Sequence, residues 1–191
     1  MATEKHRQHD RSGPTTRDYL RFGAMIVTAM VVMYVLTYVN TYESAHLRWS
    51  EQRLYMTLLM GGAMAVVMLL FMLGMYSNWR INIAILVASA LIFTTGAVLV
   101  RSQDTIEDGS YMSSMIPHHS IAILTSERSG IRDVRVCRLA VAIIEAQRRE
   151  IREMEWLLAD IGENGPAETA DEAAGRPIPE FEGASLRECP G

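Results

Sequence analysis

Residues 111 to 120 read YMSSMIPHHS: two methionines three positions apart, then a proline followed by two adjacent histidines. Neutral imidazole suits copper, zinc, iron and nickel, whereas thioether sulfur selects soft ions, chiefly Cu(I) and, by the same softness, Ag(I). At ~100° per residue on a regular helix, Asp108, Met112, Met115 and His119 fall within roughly 60° of one another, with His118 to one side. Pro117 removes a backbone hydrogen bond. It either kinks this helix and turns both imidazoles toward one point, or marks a helix start with the methionines in the preceding turn. Soft-metal binding is the chemistry that these types and spacings suit. Against it, a methionine is by itself a common core filler, and a histidine beside a proline can simply cap or hydrogen-bond.

The partner for such a face lies downstream. Over residues 133–161, Val136, Ala140, Ile143, Ile144, Ile151, Met154 and Leu158 share one helical stripe. Arg135, Arg138, Glu145, Arg149 and Arg152 take the opposite face, with Glu145 and Arg149 spaced for an i,i+4 pair. Gln147 and Glu150 fall within or beside the apolar stripe. A carboxylate there must be paired, hydrogen-bonded, protonated or metal-bound, because burying it bare costs several kcal/mol, on the order of the ion desolvation penalty. A hairpin over 101–161 therefore sets the Met/His face against Gln147, Glu150 and Met154, which is how helical bundles build metal sites. No Glu-x-x-His pair is present, which argues against a di-iron centre. The first helix is predicted over about 104–128, with Asp104 and Glu107 spaced for a capping box, and SGIRD around Gly130 separates it from the second.

Positioning that hairpin falls to the first half of the chain. Residues 22–42, 54–76 and 81–100 carry no charged side chain, and each approaches the ~20 residues that a helix needs to cross a ~30 Å hydrocarbon core. They predict three transmembrane helices. Lys5, Arg7, Arg11, Arg17 and Arg21 precede the first span, so residues 1–21 are expected to be cytoplasmic, and everything after Val100 periplasmic or extracellular. Met56, Met60, Met64, Met68 and Met72 recur every fourth residue in the second span. They form either a soft-metal path or a flexible packing seam beside Gly61 and Gly62. No charged or imidazole residue lies inside the spans, which favours packing. His46 and Glu43, in the first loop, stand at its mouth.

Residues 162–191 are rich in Pro, Gly, Ala and acidic residues without apolar periodicity, and a disordered acidic tail is expected. Cys137 and Cys189 would lie on the oxidising side, either as a bridge or as two unpaired thiols. The formal net charge of −4 and the lack of a basic stripe or recognition motif give no sign of nucleic-acid binding.

The pattern D108-x-x-Y111-M112-x-x-M115-I-P-H118-H119-x-x-A122, followed by A146-Q147-x-x-E150-I-x-x-M154-x-W156-L157, resembles domain of unknown function family 305. That resemblance covers about residues 104–160. It implies a ferritin-like helical hairpin, an exported copper-binding role for some members, and Met115, His118, His119, Glu150 and Met154 as the positions to test. Thr125 stands where many members carry a methionine, so the site here has one sulfur fewer if that methionine is a ligand.

The chain is thus expected to be all-α: three transmembrane helices, then an extracytoplasmic amphipathic hairpin, ferritin-like, completed as a four-helix bundle by homodimerisation or else packed on the membrane face. The expected function is membrane-anchored, non-enzymatic copper or silver sequestration without an organic cofactor. The candidate ligands are Asp108, Met112, Met115, His118, His119, Glu150 and Met154. The alternatives are a soft-metal transporter using the methionine ladder and a metal-free helical interaction module. No nucleophile–base pair, phosphate loop or pair of catalytic carboxylates is identifiable.

Overall fold

A computed structural model describes residues 16–39 and 41–190. The early cationic residues Lys5, Arg7 and Arg11 lie outside the described residues. Six α-helices and a short 3-10 turn make up the regular structure, with no strand among the described residues. The described residues divide into two compact units, one of residues 16–33 and 55–101 and the other of residues 34–39, 41–54 and 102–190.

The first unit is built on α1 (Thr16–Leu36), α2 (Glu51–Phe71) and α3 (Trp79–Ser102), each long and apolar enough to cross a membrane. Most of their apolar surface faces outward, as Val31, Phe71 and Leu91 do. Such a surface is compatible with lipid but not with water. Inside, Tyr19, Phe22, Ile26, Ala65, Leu69 and Tyr76 form the core. Tyr19 donates to the Asn82 side-chain carbonyl at 3.0 Å, and the Asn82 amide donates to the Tyr76 carbonyl at 2.8 Å. The one buried amide side chain of this core is thereby satisfied.

The methionine ladder has a packing role here. Met64, Met68 and Met72 pack against this core together with Met30, whose thioether occupies the space beside Gly61. Gly62 meets the backbone of Ser89 and Phe93, and Gly96 meets the backbone of Leu59, leaving no room for a Cβ at either place. Small residues allow this close approach.

Helix bounds differ from expectation at the first span. Residues 22–42 were expected to be helical, yet α1 starts at Thr16 and ends at Leu36, with turns through Val39. Arg53 accounts for the early stop: its guanidinium donates to the Thr37 carbonyl at 3.0 Å and lies 4.2 Å from the Tyr38 ring centroid. The second span is α2, ending at Phe71 instead of residue 76, and the third is α3.

The second unit is a hairpin of α4 (Asp108–Arg128) and α5 (Val134–Asn164). Helix α4 does not begin at Asp104: Gln103 has φ 58°, which breaks the chain away from α3. Glu107 caps α4 without a side-chain bond, so the Asp104/Glu107 capping box does not form. Asp133 caps α5 by accepting from the Arg135 N–H at 2.8 Å. The Arg135 guanidinium also bonds Asp133 and holds its carboxyl below the usual carboxylate range. Arg149 pairs forward with Glu153 at 3.6 Å rather than back to Glu145.

The hairpin core is Met112, Ile116, Ile123, Ile144, Ile151 and Met154, with Met115, Leu157, Leu158, Ile161 and Tyr42 packed against it. Full burial of each of its isoleucines contributes about 1.5–3 kcal/mol. Val136, placed in the apolar stripe by periodicity, is exposed, and Cys137 is buried instead.

The C-terminal segment corrects the expectation of disorder. Thr169 and Glu172 form a capping box that starts α6 (Ala170–Gly175). Arg176 then bonds Asp160 at 2.7 Å. The remaining residues run along α5 as an extended strap tied by a Cys137–Cys189 disulfide. Arg152 donates to the Glu182 carbonyl at 2.7 Å, the Leu186 N–H donates to Glu127 at 3.1 Å, and Arg187 donates to the Glu127 and Ser129 carbonyls. Composition indicates a tail too poor in apolar residues to fold alone; a covalent tie and backbone hydrogen bonds supply what apolar burial does not.

Candidate functional site

Helix α4 runs unbroken through Pro117, which is fully buried, so the alternative of a helix starting at the proline is not realised. One continuous helix puts Met112, Met115 and His119 on the face turned toward α5. Met112 is 5% exposed and His119 9% exposed, whereas His118 points outward. The two imidazole rings lie edge to face with centroids 5.8 Å apart, so they do not converge on one point.

His119 is bonded through both nitrogens. Nδ1 lies 2.9 Å from the Met115 carbonyl, which can only accept, so Nδ1 carries a proton. Nε2 lies 2.8 Å from Glu150 Oε2 on α5. A proton must sit in that bond too, whether the pair is an imidazolium with a carboxylate or an imidazole with a carboxylic acid. Glu150, the carboxylate flagged by its place in the stripe, thereby has the partner that burial demands.

The candidate methionines lie in the hairpin core. Met112 and Met154 belong to one buried cluster drawn from both helices, and Met115 packs against it. Asp108 stays apart, exposed in the first turn of α4. Thr125, in the place of the absent methionine, turns its hydroxyl back to the Ile121 and Ala122 carbonyls, both at 3.1 Å. Met112, Met115 and Met154 thus lie in the α4–α5 core and His119 bonds Glu150 across the same hairpin, whereas His118 and Asp108 are exposed. Among the described residues, no group of three or more His, Cys, Asp or Glu side chains is placed to hold a metal ion.

Two features escape sequence reasoning. A lone loop histidine is ordinarily solvated, yet His46, in the Ser44–His46 turn, is buried with Nδ1 2.9 Å from Ser120 Oγ. The Tyr42 N–H donates to the same hydroxyl at 2.8 Å, so the first loop is stitched onto α4. Glu127 and Arg148 form a 3.3 Å ion pair across the hairpin, and Arg148 lies over the Tyr42 ring. The one available signal was the alternation of loop aromatics with charges, and it does not specify partners.

A family model described as "Domain of unknown function (DUF305)" matches residues 108–184, taking in α4, α5, α6 and much of the strap. The chain is also similar to an uncharacterized protein of Acanthamoeba polyphaga mimivirus, with 32% identity over 142 residues, 71% of this chain and 91% of that protein. No solved structure matches.

Proposed function

The chain belongs to the domain of unknown function family DUF305, and from that premise we propose that it is a membrane-anchored, non-enzymatic protein whose hairpin holds Cu(I) or Ag(I). The observation that carries this reading is that Met112, Met115 and Met154 share the core of the hairpin whose two helices the His119–Glu150 pair joins. Three thioethers and one imidazole form a soft donor set, which suits a monovalent soft ion better than a hard divalent one. The same residues lack the clustered carboxylates that a hard ion would need. Met112, Met115, Met154 and His119 would hold the ion. His119 would coordinate through Nε2, its bond to Glu150 giving way to the ion, while Nδ1–H on the Met115 carbonyl orients the ring and the released Glu150 carboxylate joins the ligands. His118, exposed on the adjacent position, would assist capture from solvent.

The bound ion supplies no reaction in this reading; the protein sequesters it. The three apolar helices serve as the anchor. The cationic N-terminal segment favours a cytoplasmic N-terminus, with the hairpin on the outer face. A homodimer through the hairpin is supported by the outward apolar side chains Val136 and Leu139, which a second hairpin would cover. Met64, Met68 and Met72 pack into the first unit's core, which supports packing over conduction.

Titration of the full chain in detergent micelles with Cu(I), Ag(I) and Zn(II) tests the reading. We expect stoichiometric Cu(I) and Ag(I) binding, weakened at least tenfold by His119→Ala and by combined Met112→Leu, Met115→Leu and Met154→Leu. His118→Ala should cost less. Equal binding by wild type and both variants sinks the metal reading and leaves a helical interaction module.

A further inference from the structure

A cavity of about 180 Å³ opens in the second unit, between the Ser44–His46 turn and helices α4 and α5. Its apolar walls are Ile123 and Ile151, members of the hairpin core. Its polar walls are Glu43, His46, Arg148, Arg152 and Glu155. The signs balance, two carboxylates against two guanidiniums. Yet no ion pair among the described residues joins either of these carboxylates to either of these guanidiniums. Arg148 pairs with Glu127 and Glu155 with Arg48, neither partner lining the cavity. Arg152 is held by the Glu182 carbonyl of the strap, a dipole that leaves its charge uncompensated.

His46 adds a buried imidazole. One of the two tautomers that its 2.9 Å contact with Ser120 Oγ allows has the Ser120 hydroxyl donating its proton to His46 Nδ1, with the Tyr42 N–H donating to the same oxygen. The neutral ring then carries its hydrogen on Nε2. That nitrogen is 3.9 Å from Glu43, beyond hydrogen-bond range. His46 is 8% exposed, and Nε2–H belongs to a side chain that lines the cavity.

We propose that this cavity binds a small zwitterion of the amino-acid type. The ligand carboxylate bonds Arg152, Arg148 and His46 Nε2–H, and its ammonium faces Glu43 and Glu155. A simple anion would meet two carboxylates here and a simple cation two guanidiniums. A dipolar ligand satisfies both sets, which is electrostatic complementarity acting as specificity. Arginine suits the carboxylate end through its planar fork of donors. The strap holds Arg152 in position beforehand, which lowers the ordering cost of binding. The isoleucines accommodate a short aliphatic side chain. This site is separate from the methionine cluster and does not depend on metal binding.

The test is calorimetric titration of the full chain in detergent micelles with glycine, L-alanine and L-serine, with acetate and methylammonium as the one-charge halves of glycine. At least one zwitterion should bind saturably, at least tenfold tighter than acetate or methylammonium. Arg152→Gln and Glu43→Gln should each weaken it at least tenfold. Glu43 lies in an exposed part of the loop, so its variant tests the site without a demand on the core. The proposal is overturned by no saturable binding of any of the three, by acetate binding as tightly as the best zwitterion, or by affinity unchanged in Glu43→Gln.

Discussion

His119 Nε2 lies 2.8 Å from Glu150 Oε2, joining α4 to α5 across 31 positions of sequence. Like the Glu127–Arg148 ion pair, it is a polar tie across a hairpin whose core is apolar. Because His119 is 9% exposed, removing Glu150 leaves a buried ring nitrogen facing nothing, which costs about 1–3 kcal/mol. In a double-mutant cycle of His119→Phe and Glu150→Leu, each single change should destabilise the hairpin by about that amount, and the pair by less than the sum. Additive losses in thermal or denaturant unfolding would show that the two side chains do not act together.

The disulfide should matter for stability. Cys137 and Cys189 are 52 positions apart, and a closed loop of that length restricts the unfolded chain by about 4 kcal/mol. Reduction, or Cys189→Ser, should lower the unfolding midpoint of the hairpin unit and make residues after Gly175 accessible to limited proteolysis. An unchanged cleavage pattern would mean that the hydrogen bonds donated by Arg152, the Leu186 N–H and Arg187 hold the strap unaided.

In the first unit, Gly62→Leu and Gly96→Leu should each disrupt helix packing, because the added atoms meet backbone, which cannot move aside. Gly23→Leu is the control, since nothing lies within 4 Å of a Cβ there. Comparable detergent stability of all three variants would refute the close approach of α2 and α3.

One contribution to pH dependence follows from Asp133. Hydrogen bonds from Arg135 hold its folded-state carboxyl below the ordinary value. The folded state therefore binds that proton less readily than the unfolded chain does. The contribution is present in full above the ordinary carboxylate range and is lost as the pH falls through the lowered folded value. The midpoint difference between wild type and Asp133→Ala should be constant at neutral pH and shrink in acid. A difference that grows on acidification would contradict the capping bond.

Local chemistry explains how much was legible beforehand. Three uncharged runs indicate three membrane-length helices because a helix satisfies its own backbone within one segment, so composition and length suffice. The hairpin follows from periodicity, and Glu150 stood out because a carboxylate in an apolar stripe requires an explanation. The boundaries were less accessible: α1 stops at Leu36 through Arg53, and α4 starts at Asp108 after the positive φ of Gln103.

By itself, then, the sequence determined an all-helical chain with three apolar helices and an amphipathic hairpin carrying Met, His and Glu on facing stripes. The tertiary structure decided which of those residues meet. It turned His119 inward and His118 outward, buried Cys137 where Val136 was expected, and seated the loop histidine His46 against Ser120. It also tied a tail of disordered composition along α5. Periodicity is a property of neighbours in sequence, whereas these pairings depend on the rotation of each helix about its axis and on where a distant segment closes. Those quantities are set by the packing of the whole unit.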